Sequence, residues 1–258
     1  VVFLAPIFII LFNSFKGKLY ISDAPFKLPT AETFSGLQNY IDGLSKTGFL
    51  SAFGWSIFIT FFSTIVIVLF TAMTGWYITR SKTKVSTSLY FIFVFSMIVP
   101  FQMVMFTMSK VANMLNLDNP VGLIVLYIGF GAGLSIFMFS GFVKSIPIDI
   151  EEAALIDGCN PIKTFFLIVL PLLKPICITV AILNVMWIWN DYLLPSLVLK
   201  SDYKTIPMAV QYLRGGYGAI DMGAMMAVLV LAIIPIIIFY LTCQKYIIEG
   251  VAAGAVKG

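Results

Sequence analysis

The sequence contains no histidine, only three cysteines and little charge: Asp, Glu, Lys and Arg make up 11% of its 258 residues. Without imidazole there is no Ser-His or Cys-His dyad, no histidine proton relay and almost no route to a zinc site. Cys159, Cys177 and Cys243 stand far apart, two of them within apolar runs, as small buried side chains do rather than a disulfide or a metal site. No GxxxxGK element followed by Ser or Thr occurs, so the chain does not bind ATP in that way, and there is no GxSxG nucleophile turn. "FSGF" at 139–142 reads instead as small residues packing between helices. Ordinary soluble domains carry roughly 25% charged residues; the low charge here, with 60% hydrophobic residues and a mean hydropathy of +1.01, marks a membrane protein.

What is present is a series of uncharged runs, at 1–15, 47–79, 85–109, 119–143, 175–190 and 222–244. Crossing the hydrocarbon takes about 20 apolar residues at ~1.5 Å rise each, and the four long runs satisfy that directly. The first run is read as the outer part of a helix whose start precedes Val1, since neither a basic leader nor a cleavage site is visible. The run at 175–190 is short, but Lys174 can snorkel and "YLLPSLVL" prolongs the apolar character past Asp191. The runs lack the alternation of an outer-membrane barrel. The expectation is an all-α polytopic membrane protein with six transmembrane helices, the first truncated, forming one transmembrane domain over 1–258.

Charge does not fix the orientation. With the C-terminus inside, Arg80, Lys82, Lys84, Lys144, Lys163, Lys174, Lys245 and Lys257 face inward, against Lys16, Lys18, Lys27, Lys46, Lys110, Lys200, Lys204 and Arg214 outside. The positive-inside count ties, and the dense "RSKTK" at 80–84 favours the inside for that loop.

One stretch departs from the apolar background. In "EEAALIDGCNPIKTFFLIVLP", residues 151–171, and just before it, Asp149, Glu151, Glu152 and Asp157 place four acids within nine residues and no base among them. Pro147 ends the preceding span, Asp149 can cap a new helix, and Glu152 follows three residues later as in a capping box. Gly158 suits a left-handed stop, and Asn160 with Pro161 restarts a helix. So short a helix is marginal alone and must dock. Ile150, Ala153 and Ala154 form a narrow stripe flanked by Glu151 and Glu152, which fits a helix seated in a basic-walled groove. A connecting loop, capped and solvated by its acids, fits the spacing equally well.

The order Glu-Ala-Ala, three residues, Gly, nine residues, Ile, one residue, Leu-Pro resembles the EAA loop of ABC importer permeases, matched at Glu152, Ala153, Ala154, Gly158, Ile168, Leu170 and Pro171. "IP" at 146–147, "WNDYLLPSLVL" at 189–199, "TIPMAV" at 205–210 and the terminal "GVAAGAVKG" are similar to the carbohydrate, maltose-type branch of that family. Cys159, where a smaller Ala or Ser is commoner, departs from the pattern. The resemblance implies a permease subunit of an ATP-driven oligosaccharide importer in a bacterial inner membrane. It would be a transport subunit with no ATPase site or cofactor of its own, ATP being hydrolysed by its partners. It would pair with a second related permease, two ATPase subunits and an extracytoplasmic solute-binding protein. The loop at 145–171 would then couple to an ATPase: Glu152 by polar contact, Ala153 and Ala154 by close packing, Gly158 at the bend and Pro171 at the junction to the fifth span, with Asp157 also among the coupling residues. The tail "QKYIIEGVAAGAVKG" is a further place of contact with the ATPases or simply a frayed end.

Polar and aromatic residues within the spans mark candidates for a sugar path: Gln102, Asn184, Trp187, Asn190, Asp191 and Tyr192. Aromatic faces stack on sugars and amides bond to hydroxyls, although Trp and Tyr also belong at membrane interfaces. An ion-coupled carrier is the alternative, but the only intramembrane acid, Asp191, lies 17 residues after Lys174, about 25 Å along a helix and so near the outer interface. An intramembrane hydrolase finds no nucleophile motif.

Overall fold

Helices dominate because a backbone in hydrocarbon must satisfy its polar groups within the segment itself. In the computed structural model the backbone of residues 4–213 and 221–255 is described, with side chains to residue 246. Arg214, Lys257 and the last residues of the terminal "GVAAGAVKG" lie outside the described residues. The helices are α1 (Ala5–Asn13), α2 (Lys18–Asp23), α3 (Gln38–Thr47), α4 (Phe49–Ser81), α5 (Lys84–Ser96), α6 (Phe101–Met114) and α7 (Pro120–Val143). There follow α8 (Asp149–Ile156), α9 (Pro161–Thr164), a π-helical turn (Phe165–Val169), α10 (Leu170–Leu172), α11 (Lys174–Asn190), α12 (Leu193–Val198), α13 (Ile206–Tyr212) and α14 (Met222–Ala255).

Among the described residues, α4, α7 and Met222–Tyr246 of α14 are each long and apolar enough to cross a membrane. The other two long candidates are broken. The run at 85–109 divides into α5 and α6, bent by 105°, and Pro161–Leu172 meets α11 at 78°. Counting each bent pair as one span gives five; α1 supplies nine further residues of the truncated first run. Prolines explain both breaks. Pro100 has no N–H to continue α5 and pushes Val99 away from helical geometry. Pro171 and Pro175, on either side of Leu173, likewise lack the N–H groups that would continue the helical ladder, and the π-helical turn lies just before Pro171, where Leu170 is still helical (φ −59°, ψ −42°).

Contacts divide the chain into two compact units, 1–58 with 190–242 and 59–189 with 243–258. In the first, the buried amide of Asn39 on α3 donates to the carbonyls of Ser14 (2.8 Å) and Lys16 (2.7 Å). Lys46 at the end of α3 bonds to Asp221 at 2.7 Å, and the Ile206 N–H donates to Ser56 at 2.8 Å.

In the second, Ala72, Phe139, Val143, Ile146, Phe165, Val169, Leu173 and Val180 form the core. Close helix approach here depends on small residues, as is usual without a hydrophobic drive between helices in lipid. A Cβ on Gly75 would stand 2.8 Å from that of Phe139, and one on Gly133 would stand 2.8 Å from the Phe93 carbonyl. Within "FSGF" it is Ser140 that packs, its backbone 3.2 Å from such a Cβ on Gly75, whereas Gly141 faces open space.

Candidate functional site

The acidic stretch forms α8, but it begins differently from the sequence expectation. Ile148 is already helical (φ −66°, ψ −29°) and accepts from the N–H groups of Glu151 (2.9 Å) and Glu152 (3.0 Å). The backbone therefore offers no extended N-cap, and neither the Asp149 cap nor the Glu152 capping box forms. The acids still lie where a helix N-terminus favours negative charge.

The helix ends as its sequence indicates. Gly158 is left-handed (φ +85°). The N–H of Gly158 donates to Leu155 (3.1 Å) and that of Cys159 to Ala154 (2.9 Å), the two bonds of a Schellman motif. Asn160 then caps α9, its side chain accepting from the Lys163 N–H at 2.8 Å, with Pro161 at the first helical position.

What holds α8 down is Glu151, one residue before the motif's glutamate. It is 6% exposed. The Arg80 guanidinium at the end of α4 donates to Glu151 Oε1 from Nε (2.9 Å) and Nη2 (2.7 Å), and Nη2 also donates to the Ile146 carbonyl at 2.9 Å. Trp76, one turn earlier on the same face of α4, donates Nε1–H to Oε2 at 2.9 Å. Both carboxylate oxygens are thus satisfied, which is the condition for a buried ion pair to offset its desolvation. The Trp76 ring packs on Phe165 of the π-helical turn at 5.5 Å between centroids, so α4, α8 and the entry to α11 converge on one polar anchor over the apolar core.

Of the expected stripe only Ala154 faces inward, 5% exposed, because the inward positions are 151 and 154; Ile150 and Ala153 are exposed. The outward face carries Glu152, Ala153, Leu155, Asp157 and Gly158, with Ile156 85% exposed. Pro171 is exposed within α10. Arg80, Trp76 and Glu151 escaped the motif-based reading. A signal existed: Arg80 is the first charge after the uncharged run 47–79, with Trp76 one helical turn before it.

The path candidates separate. Asn184 and Trp187 line one cavity of about 300 Å³ with Phe130, Gly131 and Ser135. The Asn184 amide donates to the Val180 carbonyl (2.8 Å) and Ser135 (3.3 Å), and Trp187 meets Tyr127 edge-on at 5.4 Å. Gln102 is exposed on α6 and does not line that cavity. Asn190, Asp191 and Tyr192 belong to the first unit. There Asp191 accepts from the N–H groups of Leu193 (2.9 Å) and Leu194 (3.4 Å), securing the start of α12. Among the described residues no group of three His, Cys, Asp or Glu side chains could hold a metal.

The sequence profile of the family described as binding-protein-dependent transport system inner membrane component matches residues 68–252. The chain is 40% identical to the probable starch degradation products transport system permease protein AmyC of Thermoanaerobacterium thermosulfurigenes, covering 98% of this chain and 92% of that protein. It is 36% identical to the multiple sugar-binding transport system permease protein MsmG of Streptococcus mutans, covering 100% of this chain and 93% of that protein. In structure it is similar to a chain of a bacterial ABC transporter involved in the import of the acidic polysaccharide alginate. The TM-score is 0.78 at 26% identity, covering 94% of this chain and 90% of that one.

Proposed function

This chain belongs to the inner-membrane components of binding-protein-dependent transport systems, and from that premise we propose that it is a permease subunit of an ATP-driven oligosaccharide importer. The observation that carries the mechanism is the two-faced seating of α8. Glu151 fixes one face to Arg80 and Trp76, while Glu152, Ala153, Ile156 and Asp157 remain free on the other.

A short rod held this way transmits force. The free face seats in a cleft of an ATPase subunit, with Glu152 and Asp157 meeting basic residues and Ala153 allowing close approach. Ala154 does its packing inward, letting α8 lie tight on its own chain. Closure of the ATPases moves α8, and the anchor passes that motion to α4 and, through Phe165, to the bend before α11. Gly158 sets the turn after α8, and Pro171 with Pro175 keeps the bend from straightening into a single helix. Two global states with different contacts are what such a switch requires.

The complex contains a second related permease, two ATPase subunits that bind and hydrolyse ATP, and an extracytoplasmic solute-binding protein. This chain contributes no cofactor. Sugars meet polar and aromatic side chains, the Trp187 face and the Asn184 amide in their shared cavity; Gln102, Asn190 and Tyr192 are separate candidates for sugar contact. Asp191, the acid weighed for ion coupling, has a local use at the start of α12. The relatives with printed sugar-transport names favour the importer over an ion-coupled carrier.

Reconstitution of the complete transporter in proteoliposomes tests the proposal. Glu152→Lys should leave the complex assembled and hydrolysing ATP while sugar moved per ATP falls on the order of tenfold. An unchanged ratio would remove Glu152 from the coupling role.

A further inference from the structure

At the same end of α4 as the Arg80 anchor, a second polar feature has no part in coupling. A cavity of about 230 Å³ lies among α4, α5 and α7, lined by Thr79, Lys82, Thr87, Tyr90, Ser140 and Lys144 with Ile78 and Phe91. Two ammonium groups and several hydroxyls line it, and no carboxylate does. Among the described residues neither Lys82 nor Lys144 forms an ion pair, and Lys144 rests over the Tyr90 ring at 6.0 Å. Ser140 is 2% exposed and its hydroxyl has no hydrogen-bond partner. An orphaned buried donor normally costs about 1–3 kcal/mol, so a hydroxyl left this way in a cavity lined by two ammonium groups without carboxylate partners points to an anionic ligand.

We propose that this cavity holds the phosphodiester of an anionic phospholipid headgroup. Lys82 and Lys144 supply the charge, and the Ser140 hydroxyl donates to a phosphate oxygen. Basic pockets between transmembrane helices on the cytoplasmic side are suited to such headgroups. The cavity is smaller than the roughly 300–1,000 Å³ pockets that take drug-sized ligands, so it suits a compact headgroup rather than a sugar chain. The surroundings favour a lipid over free phosphate. Val85, Phe91, Ile92 and Phe95 on α5 are each more than 60% exposed, an apolar flank for acyl chains directly beside the polar cavity. Lys82 itself is held in a left-handed conformation (φ +46°) at the turn between α4 and α5, just past the uncharged run 47–79. The inference needs only the membrane placement of these helices and not the sugar or the ATPase assignment.

The test uses the intact transporter complex in nanodiscs of mixed phosphatidylglycerol and phosphatidylcholine, with lipids retained on release read by native mass spectrometry. The wild-type complex should retain phosphatidylglycerol preferentially. A lysine near an anionic surface is worth about fivefold in binding, so Lys82→Gln with Lys144→Gln should reduce the preference about 30-fold. Ser140→Ala, which keeps the packing against Gly75, should reduce it several-fold. Lys84→Gln, an exposed lysine two residues from Lys82 that does not line the cavity, should change nothing. An undiminished preference in the double variant would overturn the site. An equal fall with Lys84→Gln would reduce it to diffuse surface attraction. Release of the lipid by soluble glycerophosphate at concentrations comparable to the lipid would show that the cavity takes free phosphate instead.

Discussion

Two ion pairs tie distant parts of this sequence together, and their settings are opposite. Arg80–Glu151 joins residues 71 apart with side chains only 19% and 8% exposed, and a tryptophan N–H and a backbone carbonyl complete it. Lys46–Asp221 joins residues 175 apart with side chains 48% and 27% exposed, and Lys46 divides its charge with Asp42 at 3.2 Å. Removing one member of a buried pair strands the other, at a cost of about 3–5 kcal/mol, whereas an exposed pair is worth under about 1 kcal/mol. The difference separates a buried joint between α4 and α8 from an exposed tether between a helix end and a loop.

The largest effect should follow from Arg80→Ala. Loss of about 3–5 kcal/mol at the anchor should release α8 without unfolding the spans. It would be read as a large rise in hydrogen–deuterium exchange over Asp149–Ile156, with unchanged protection in α7. Arg80→Lys should rescue little, since one ammonium cannot reproduce the forked contact to Oε1 together with the bond to Ile146. Retained protection in Arg80→Ala would dissolve the contrast between the two pairs.

An intermediate effect should follow from Gly158→Val. Nothing lies within 4 Å of a Cβ built there, so the cost is backbone strain alone, about 1–2 kcal/mol for a left-handed residue. Exchange should rise only in the last turn of α8, and Gly158→Asn should be milder. A uniform rise across α8 would mean that the left-handed turn, rather than the anchor, carries the helix.

The smallest effect belongs to Lys46→Met, and pH sharpens it. Hydrogen bonds donated to Asp221 and Asp42 raise the Lys46 pKa, so its contribution is present below the ordinary lysine value of 10.5 and lost as pH rises through the higher folded value. The Gln38 amide, and after it Lys46, lowers Asp42. Burial pushes Asp221 up, but the bonds from Lys46 and the Ala224 N–H outweigh it and the net shift is downward. The acid contributions are present above the ordinary value of 3.8 and lost as pH falls through the lowered ones. The thermal midpoint of the wild-type complex should fall slightly at both extremes, and Lys46→Met should flatten both limbs. High salt should erase the difference, because exposed pairs are screened.

What was legible in the sequence was local. The left-handed Gly158, the Asn160 cap and Pro161 at N1 depend on neighbours within a few residues, and each stands as read. Asp149 failed as a cap because Ile148 had already entered the helical region, a matter of backbone path that composition does not record. The run at 85–109 looked continuous because hydropathy weighs Pro100 only as another uncharged residue and overlooks its missing N–H. The anchor was hidden for a different reason: Glu151 and Arg80 meet across 71 positions, and nothing near either names the other. Similarly, Asn184 and Trp187 share a cavity, while Gln102 lies elsewhere on α6.

The exposed tip of α8 also bears on biosynthesis. Ile156 at 85% and Ile162 at 66% exposure stand on an acidic segment outside the apolar spans. A newly inserted copy without its motor would carry this greasy knob into water, where chaperones and proteases bind such surfaces. If α8 seats on an ATPase as proposed, survival of the protein in the cell becomes conditional on finding that subunit, and balanced synthesis of the two polypeptides would follow.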